Sequence, residues 1–192
     1  MKNVLILGAG GNIAGKVIEM LSEEKSIHLT LFLRNAGRLE IPSTTNCRII
    51  EGDVLHLNDV KKAMTGIDIV YANLSGDLEK MAHNIINAMN DEEVKRLIFI
   101  SSIGIYDQPV KPVLLPYRKA ADVIEASDTE YTILRPTWFT TAEEVDYEIT
   151  RKGEPEKGSV ISQRSLATLI ATIIKSPEKH VRENLGVNKP NS

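Results

Sequence analysis

The chain has 192 residues, enough for one domain with a substantial core. With 42% hydrophobic and 26% charged residues, a net charge of −3 and a pI ≈ 5.9, it has the composition of an ordinary globular protein and no electrostatic reason to bind a nucleic acid or an anionic membrane. A single cysteine, Cys47, rules out an internal disulfide, and no apolar run has signal-peptide or transmembrane length, so the expected location is the cytoplasm.

The first element is the apolar run Val4-Leu5-Ile6-Leu7, which breaks into Gly8-Ala9-Gly10-Gly11-Asn12-Ile13-Ala14-Gly15. Val17, Ile18 and Leu21 then repeat at helical spacing beside Ile13 and Ala14. Strand, tight turn and helix in that order suit a phosphate. Gly8 permits a sharp turn, and Gly10 and Gly11 lack a Cβ, so an anion can approach the backbone. The first helical amides, at Asn12 and Ile13, then face the anion with the helix dipole behind them. The spacing G-x-x-G-x-x-G fits at Gly8 and Gly11 and meets Ala14, small enough for close packing, at its third place. An ordinary glycine turn of an α/β protein is the alternative.

The second strand is Ile27 to Leu33, ending at Arg34-Asn35. A loop with Gly37, Pro42 and Ser43-Thr44-Thr45-Asn46 leads to a third strand, Arg48 to Glu51, closed by Gly52-Asp53-Val54. Cys47 beside it reads as a buried strand residue. A short helix runs from Asn58, its expected N-cap, to Met64, and a fourth strand from Ile67 to Tyr71. After Asn73-Leu74-Ser75-Gly76, a helix from Asp77 to Met89 has an apolar face of Leu78, Met81, Ile85, Ile86 and Met89. The fifth strand, Leu97 to Ile100, ends at Ser101-Ser102. A loop stiffened by Pro109, Pro112 and Pro116 precedes a helix from Tyr117 to Ala126 and a sixth strand from Tyr131 to Leu134, cut off by Arg135-Pro136. The segment 137–161 breaks the alternation; its part from Thr137 to Gly158 reads as an extended excursion or hairpin, and its acidic run (Glu143, Glu144, Asp146, Glu148) as a solvated face. The last helix spans Ser162 to Lys175, and a weak final strand lies near Leu185-Gly186-Val187. The alternation predicts βαβ units, a mostly parallel sheet and one domain over 1–192.

Several motifs, in this order, carry a family resemblance: Gly8 to Ala14, Arg34-Asn35, Gly52-Asp53-Val54, Ala63-Met64-Thr65-Gly66-Ile67-Asp68-Ile69-Val70, Ile100 to Tyr106, and Tyr131-Thr132-Ile133-Leu134-Arg135-Pro136. The chain resembles the atypical short-chain dehydrogenase/reductases, the small NmrA-like NAD(P)-binding proteins, from Asn3 to about Lys175. The resemblance implies a doubly wound, three-layer αβα Rossmann sheet with the cofactor across the carboxyl ends of the strands. It places Gly8, Gly10, Gly11, Asn12 and Ile13 at the pyrophosphate, Arg34 and Asn35 at the adenosine ribose, and Asp53 and Val54 beside the adenine. Asn73, Leu74 and Ser75 follow the cofactor's middle, Ser101 and Ser102 the nicotinamide ribose, and Pro136 and Thr137 the nicotinamide.

Arg34, with Arg38 nearby and no acid at the end of the second strand, favours NADP(H) over NAD(H). No tyrosine is followed by lysine at the fourth place, so the Tyr-x-x-x-Lys proton relay of carbonyl reductases is missing, and Ile103 stands where the assisting serine is expected. Ser102, Tyr106 and Tyr117 remain the candidates for a proton donor, with lining or packing as their alternative roles. Trp138 and Phe139 either wall an acceptor pocket or anchor the excursion. His28, His56, His83 and His180 have no metal-ligand spacing, so no metal is expected. Two functions are compatible with this pattern: NADPH-dependent reduction of a small conjugated acceptor such as a flavin or quinone, and a non-enzymatic NADP(H)-sensing module that acts on a protein partner. A homo-oligomer is compatible with either.

Overall fold

The computed structural model describes residues 1–39 and 47–192. The expected loop features at Pro42 and Ser43 to Asn46 lie outside them. In chain order the elements are β1 (Lys2–Leu7), α1 (Asn12–Leu21), β2 (Ile27–Leu33), β3 (Cys47–Glu51), α2 (Leu57–Met64), β4 (Ile69–Ala72), α3 (Leu78–Asp91), β5 (Arg96–Ile100), α4 (Leu115–Glu125), β6 (Glu130–Pro136), β7 (Trp138–Thr140), β8 (Glu148–Arg151), β9 (Val160–Ser162), α5 (Gln163–Lys175) and β10 (Glu183–Asn188). Short 3₁₀ turns lie at Ala36–Arg38 and Pro112–Leu114.

The main sheet has the strand order β3-β2-β1-β4-β5-β6-β10-β8. All its pairs are parallel except β8 with β10. Strands buried on both faces are mostly apolar, which is why Val4 to Leu7 of β1 and Leu31 to Leu33 of β2 read as hydrophobic runs. Val4 and Ile6 pack under α1 and α5, whereas Leu5 and Leu7 face α2, α3 and α4. Helix α1 buries Ile13, Val17, Ile18 and Leu21, each contributing about 1.5–3 kcal/mol on burial. The apolar face of α3 is consumed in the same way, with Met81, Ile85, Ile86 and Met89 all inside the chain. The chain runs outward from β1 through β2 to β3, then returns to pair β4 on the other side of β1. That reversal opens a crevice beyond the ends of β1 and β4.

Some local expectations change. The fourth strand begins at Ile69, since Gly66 turns at φ +74° and Ile67 N–H still closes a bond to Met64 O at 3.1 Å. Helix α2 starts before Asn58, with His56 at the cap position; Asp59 closes its start from within, accepting the Asp53 N–H at 3.2 Å. Helix α4 starts at Leu115 because Pro116 sits in the first turn, where no N–H is required. Cys47 is only half-buried, on the edge strand, and that burial pushes its thiol up.

The excursion is not a hairpin. Strands β7 and β9 pair in parallel as a separate ribbon, and β8 joins the main sheet beside β10. Strand β10 is six residues long and lies inside the sheet between β6 and β8. The acidic run is engaged rather than simply solvated. Glu143 bridges Lys16 at 3.4 Å and Arg164 at 2.9 Å, Glu144 pairs with Lys189 at 2.8 Å, and the Ser162 and Ser165 hydroxyls both donate to Glu144 O.

Candidate functional site

At the end of β1 the chain turns at Gly8, with φ +83°. Both Gly8 N–H and Ala9 N–H donate to Phe32 O, at 3.0 and 3.2 Å, which ties the turn to β2. Asn73 N–H donates to Leu7 O at 3.0 Å, so the first residue after β4 continues the pairing and lies across the turn. A Cβ on Gly8 would be 2.2 Å from Asn73 O. Gly11 is the N-cap residue of α1, with extended backbone, no side-chain cap and no acid in the first turn. The leading amides of the helix therefore keep their capacity for an anion. A Cβ at Gly10 would meet only Leu33 Cδ1, at 3.7 Å, so the turn is open to the cleft on that side.

The cleft that begins here has a volume of ≈ 350 Å³. It collects Gly8, Gly10, Gly11, Arg34, Asn35, Asp53, Val54, Asn73, Leu74 and Ser75, ten of the residues the sequence singles out. Phe32, Leu33, Gly52, Leu55 and Met81 complete the lining and were not anticipated. Of these only Gly52 carries a recognisable signal: a Cβ there would lie 2.6 Å from Phe32 Cζ, so glycine is needed for β3 to end against that ring. The floor is held by local bonds. Asp53 Oδ1 accepts the Leu55 N–H at 2.9 Å, and Asn84 Nδ2 donates to Val54 O at 2.8 Å. At the mouth Arg34 and Asn35 are exposed. Asn35 Oδ1 accepts from Gly37 N–H at 2.9 Å, and Ala36 N–H donates to Glu51 Oε1 at 2.6 Å.

Other expected site residues lie outside this lining. Asn12 is exposed on the first turn of α1 and Ile13 is buried. Ser101 is buried past the end of β5, and its Oγ has no partner among the described residues. Pro136 and Thr137 are buried at the end of β6, where Thr137 N–H donates to Val187 O at 3.1 Å. Ser102 is half-buried and donates to Ile103 O at 3.2 Å. Tyr117 is half-buried and packs against the core. Trp138 and Phe139 stand on β7 with 79% and 45% of their surface exposed, so neither anchors the excursion by burial.

Tyr106 is committed elsewhere. Its hydroxyl accepts from Asn184 Nδ2 at 2.7 Å and donates to Glu125 Oε2 at 3.3 Å. Arg118, Arg135 and Lys152 lie 4.7, 5.3 and 4.6 Å from its ring centre. Burial pushes its phenol up and the Glu125 carboxylate adds to this, while Lys152 and Arg135 pull the other way. The centre of this network is Arg135, 1% exposed, which donates through Nε to Glu156 Oε1 at 2.8 Å and through Nη1 to Asn184 Oδ1. Glu156 Oε2 in turn accepts the Gly104 N–H at 3.0 Å. Sequence reasoning does not reveal the network: there Arg135 closes the sixth strand and belongs to a motif of the family resemblance. The available signal was an arginine set in an apolar strand.

Among the described residues no group of His, Cys, Asp and Glu could hold a metal ion, and no helix is long and apolar enough to cross a membrane.

A glycine turn, a helix N-terminus and a cleft at the strand-order reversal define a dinucleotide-binding Rossmann domain. The chain belongs to the NAD(P)H-binding family, whose pattern it matches over residues 8–177. It is 52% identical, over 46 residues covering 24% of this chain and 77% of the relative, to Protein YmjC of Escherichia coli K12. A solved Rossmann-fold NAD(P)-binding family protein from Shigella flexneri superposes with a TM-score of 0.93 at 52% identity, over 100% of this chain and 95% of that one. A short-chain dehydrogenase/reductase from Veillonella parvula, solved in complex with NADP, gives a TM-score of 0.89 at 26% identity, over 99% and 95% of the two chains.

Proposed function

We propose that the protein is an NADPH-dependent reductase of a small conjugated acceptor, a flavin or a quinone. The observation that carries this reading is the pairing of a cleft that collects the glycine turn and Arg34 with a Tyr106 hydroxyl already bonded to Asn184 and Glu125. When bound, NADPH supplies the hydride. The residues present fit that cofactor: the Gly8 turn leaves no room for a side chain, the α1 amides have no competing acid, and Arg34 stands at the mouth.

In this reading Gly8, Gly10, Gly11, Asn12 and Ile13 hold the pyrophosphate, and Asn73, Leu74 and Ser75 line its path. Arg34 and Asn35 take the 2′-phosphate; Asp53 and Val54 border the adenine. The buried, unpartnered Ser101 Oγ offers a hydrogen bond beside the nicotinamide half, and Pro136 and Thr137 close that end. Trp138 and Phe139 give a flat acceptor an exposed aromatic surface to lie on. Because Tyr106 already spends its hydroxyl on Asn184 and Glu125, it is not free to protonate an alkoxide, and Tyr117 packs against the core. A quinone or flavin spreads incoming charge over its own rings, so positioning is the main requirement.

Steady-state NADPH oxidation with menadione, FMN and a panel of simple ketones tests this. Turnover of menadione or FMN with little turnover of ketones is expected. Ketones reduced as fast as quinones would show a proton donor at work. Tight NADPH binding with no turnover of any acceptor would assign the protein to the NADP(H)-sensing regulators instead.

A further inference from the structure

Glu51, at the end of the strand beside the one that leads into Arg34, holds its carboxylate against the loop that follows Arg34. In the β2–β3 register it stands opposite Leu33, the residue before Arg34. Its Oε1 accepts the Ala36 N–H at 2.6 Å, which fixes the carboxylate across the loop that starts with Arg34-Asn35. Its Oε2 accepts no hydrogen bond from a described residue. The next residue, Gly52, lines the cleft together with Arg34 and Asn35.

Dinucleotide folds separate two recognition chemistries at this place: a carboxylate accepts the ribose 2′-hydroxyl of NAD, and an arginine accommodates the 2′-phosphate of NADP. The acid is absent from the end of β2, but the neighbouring strand delivers one to the same loop. We infer that Glu51 is a specificity-determining residue that accepts from the 2′-hydroxyl of NAD(H), repels the 2′-phosphate of NADP(H), and so offsets part of the selectivity Arg34 confers. This rests on the placement of the adenosine ribose at Arg34-Asn35 under the proposed function. A hydroxyl can donate to the free carboxylate oxygen. A phosphate monoester near neutral pH carries between one and two negative charges and gives that oxygen only repulsion. The carboxylate is exposed, so water and salt weaken the effect without reversing its sign.

The test is direct titration of NADPH and NADH by fluorescence with wild type, Glu51→Gln and Arg34→Ala. Glutamine keeps an oxygen for the Ala36 N–H and removes the charge. Glu51→Gln is expected to tighten NADPH about fivefold at low salt, with a smaller gain at high salt, and to loosen NADH about threefold. A selectivity ratio within twofold of wild type, or both dinucleotides shifting together, overturns the inference. Arg34→Ala separates the two claims. If it weakens NADPH selectively while Glu51→Gln leaves the ratio unchanged, the ribose placement stands and the Glu51 role falls. If it weakens both dinucleotides equally, the placement itself falls and takes the inference with it.

Discussion

The carbonyl oxygen of Asn73 fills the space beside Gly8, 2.2 Å from where a Cβ would be. Gly8 also holds φ +83°, a conformation that side chains resist. Two neighbouring glycines therefore differ in kind. Gly8→Ala collides with backbone and is expected to cost about 2 kcal/mol or more, lowering Tm by roughly 5 °C in calorimetry. Gly11 has φ −82°, and its Cβ would meet the movable Asn73 Nδ2 at 3.1 Å. Gly11→Val is expected to keep a wild-type circular dichroism spectrum and lose dinucleotide binding. Normal binding by that variant would reduce the glycine to a structural role.

Arg34 is exposed, so its contribution to folding is small and its contribution to selectivity can be read cleanly. Charge-assisted bonds to a phosphate are worth about 1.5–3 kcal/mol, and exposure puts this site near the low end. Arg34→Ala is expected to raise the Kd for NADPH about tenfold and leave that for NADH within about twofold. Isothermal titration calorimetry with both dinucleotides measures the difference.

Much of the frame was legible because parallel strands buried on both faces read as apolar runs and because the glycine turn is local. Strand β10 was read as weak for a physical reason. Leu185 and Val187 face the core, whereas Asn184, Gly186 and Asn188 alternate with them on the polar side. The composition of that strand answers to the Arg135 network, which a window of sequence does not contain. Arg135 and Asn184 are 49 residues apart, and Tyr106 and Asn184 are 78 apart. The cleft shows the same limit. Its glycines and Arg34 were readable, but Phe32 and Met81 reach it only through strand pairing and helix packing. The parallel pairing of β7 with β9 was hidden because it joins segments on either side of β8.

Arg135 should behave as a buried charge whose partners are fixed. Truncation to alanine leaves Glu156 without its cation and Asn184 without its donor. The expected loss is about 3–5 kcal/mol, seen as a lower urea midpoint. Glu156→Gln keeps an oxygen for Gly104 N–H or for Arg135 and is expected to cost about 1–2 kcal/mol. Equal losses for the two variants would mean that the Arg135–Glu156 ion pair, rather than packing of the arginine stem, sets the stability of this region.

The alkaline limit of stability should be set by tyrosines. Tyr71 is wholly buried on β4, its hydroxyl has no partner among the described residues, and burial alone pushes its phenol up from 10.0. Burial pushes Tyr106 up from the same value, with Glu125 adding to the effect. In the unfolded chain both ionise near 10.0, while in the folded chain both keep their protons above it. The stability they support is fully present below 10.0 and is lost as pH rises through the folded values, because unfolding then releases protons. An ultraviolet difference titration is expected to show fewer than five tyrosines ionising before the chain unfolds. Tyr71→Phe removes the stranded hydroxyl and keeps the ring, so it is expected to stabilise the fold by about 1 kcal/mol at neutral pH. It should also soften the decline above pH 10.0, since one fewer proton is then released on unfolding. If Tyr71→Phe destabilises the fold and leaves the alkaline decline unchanged, the Tyr71 hydroxyl has a bonded partner in solution and the account of its burial fails.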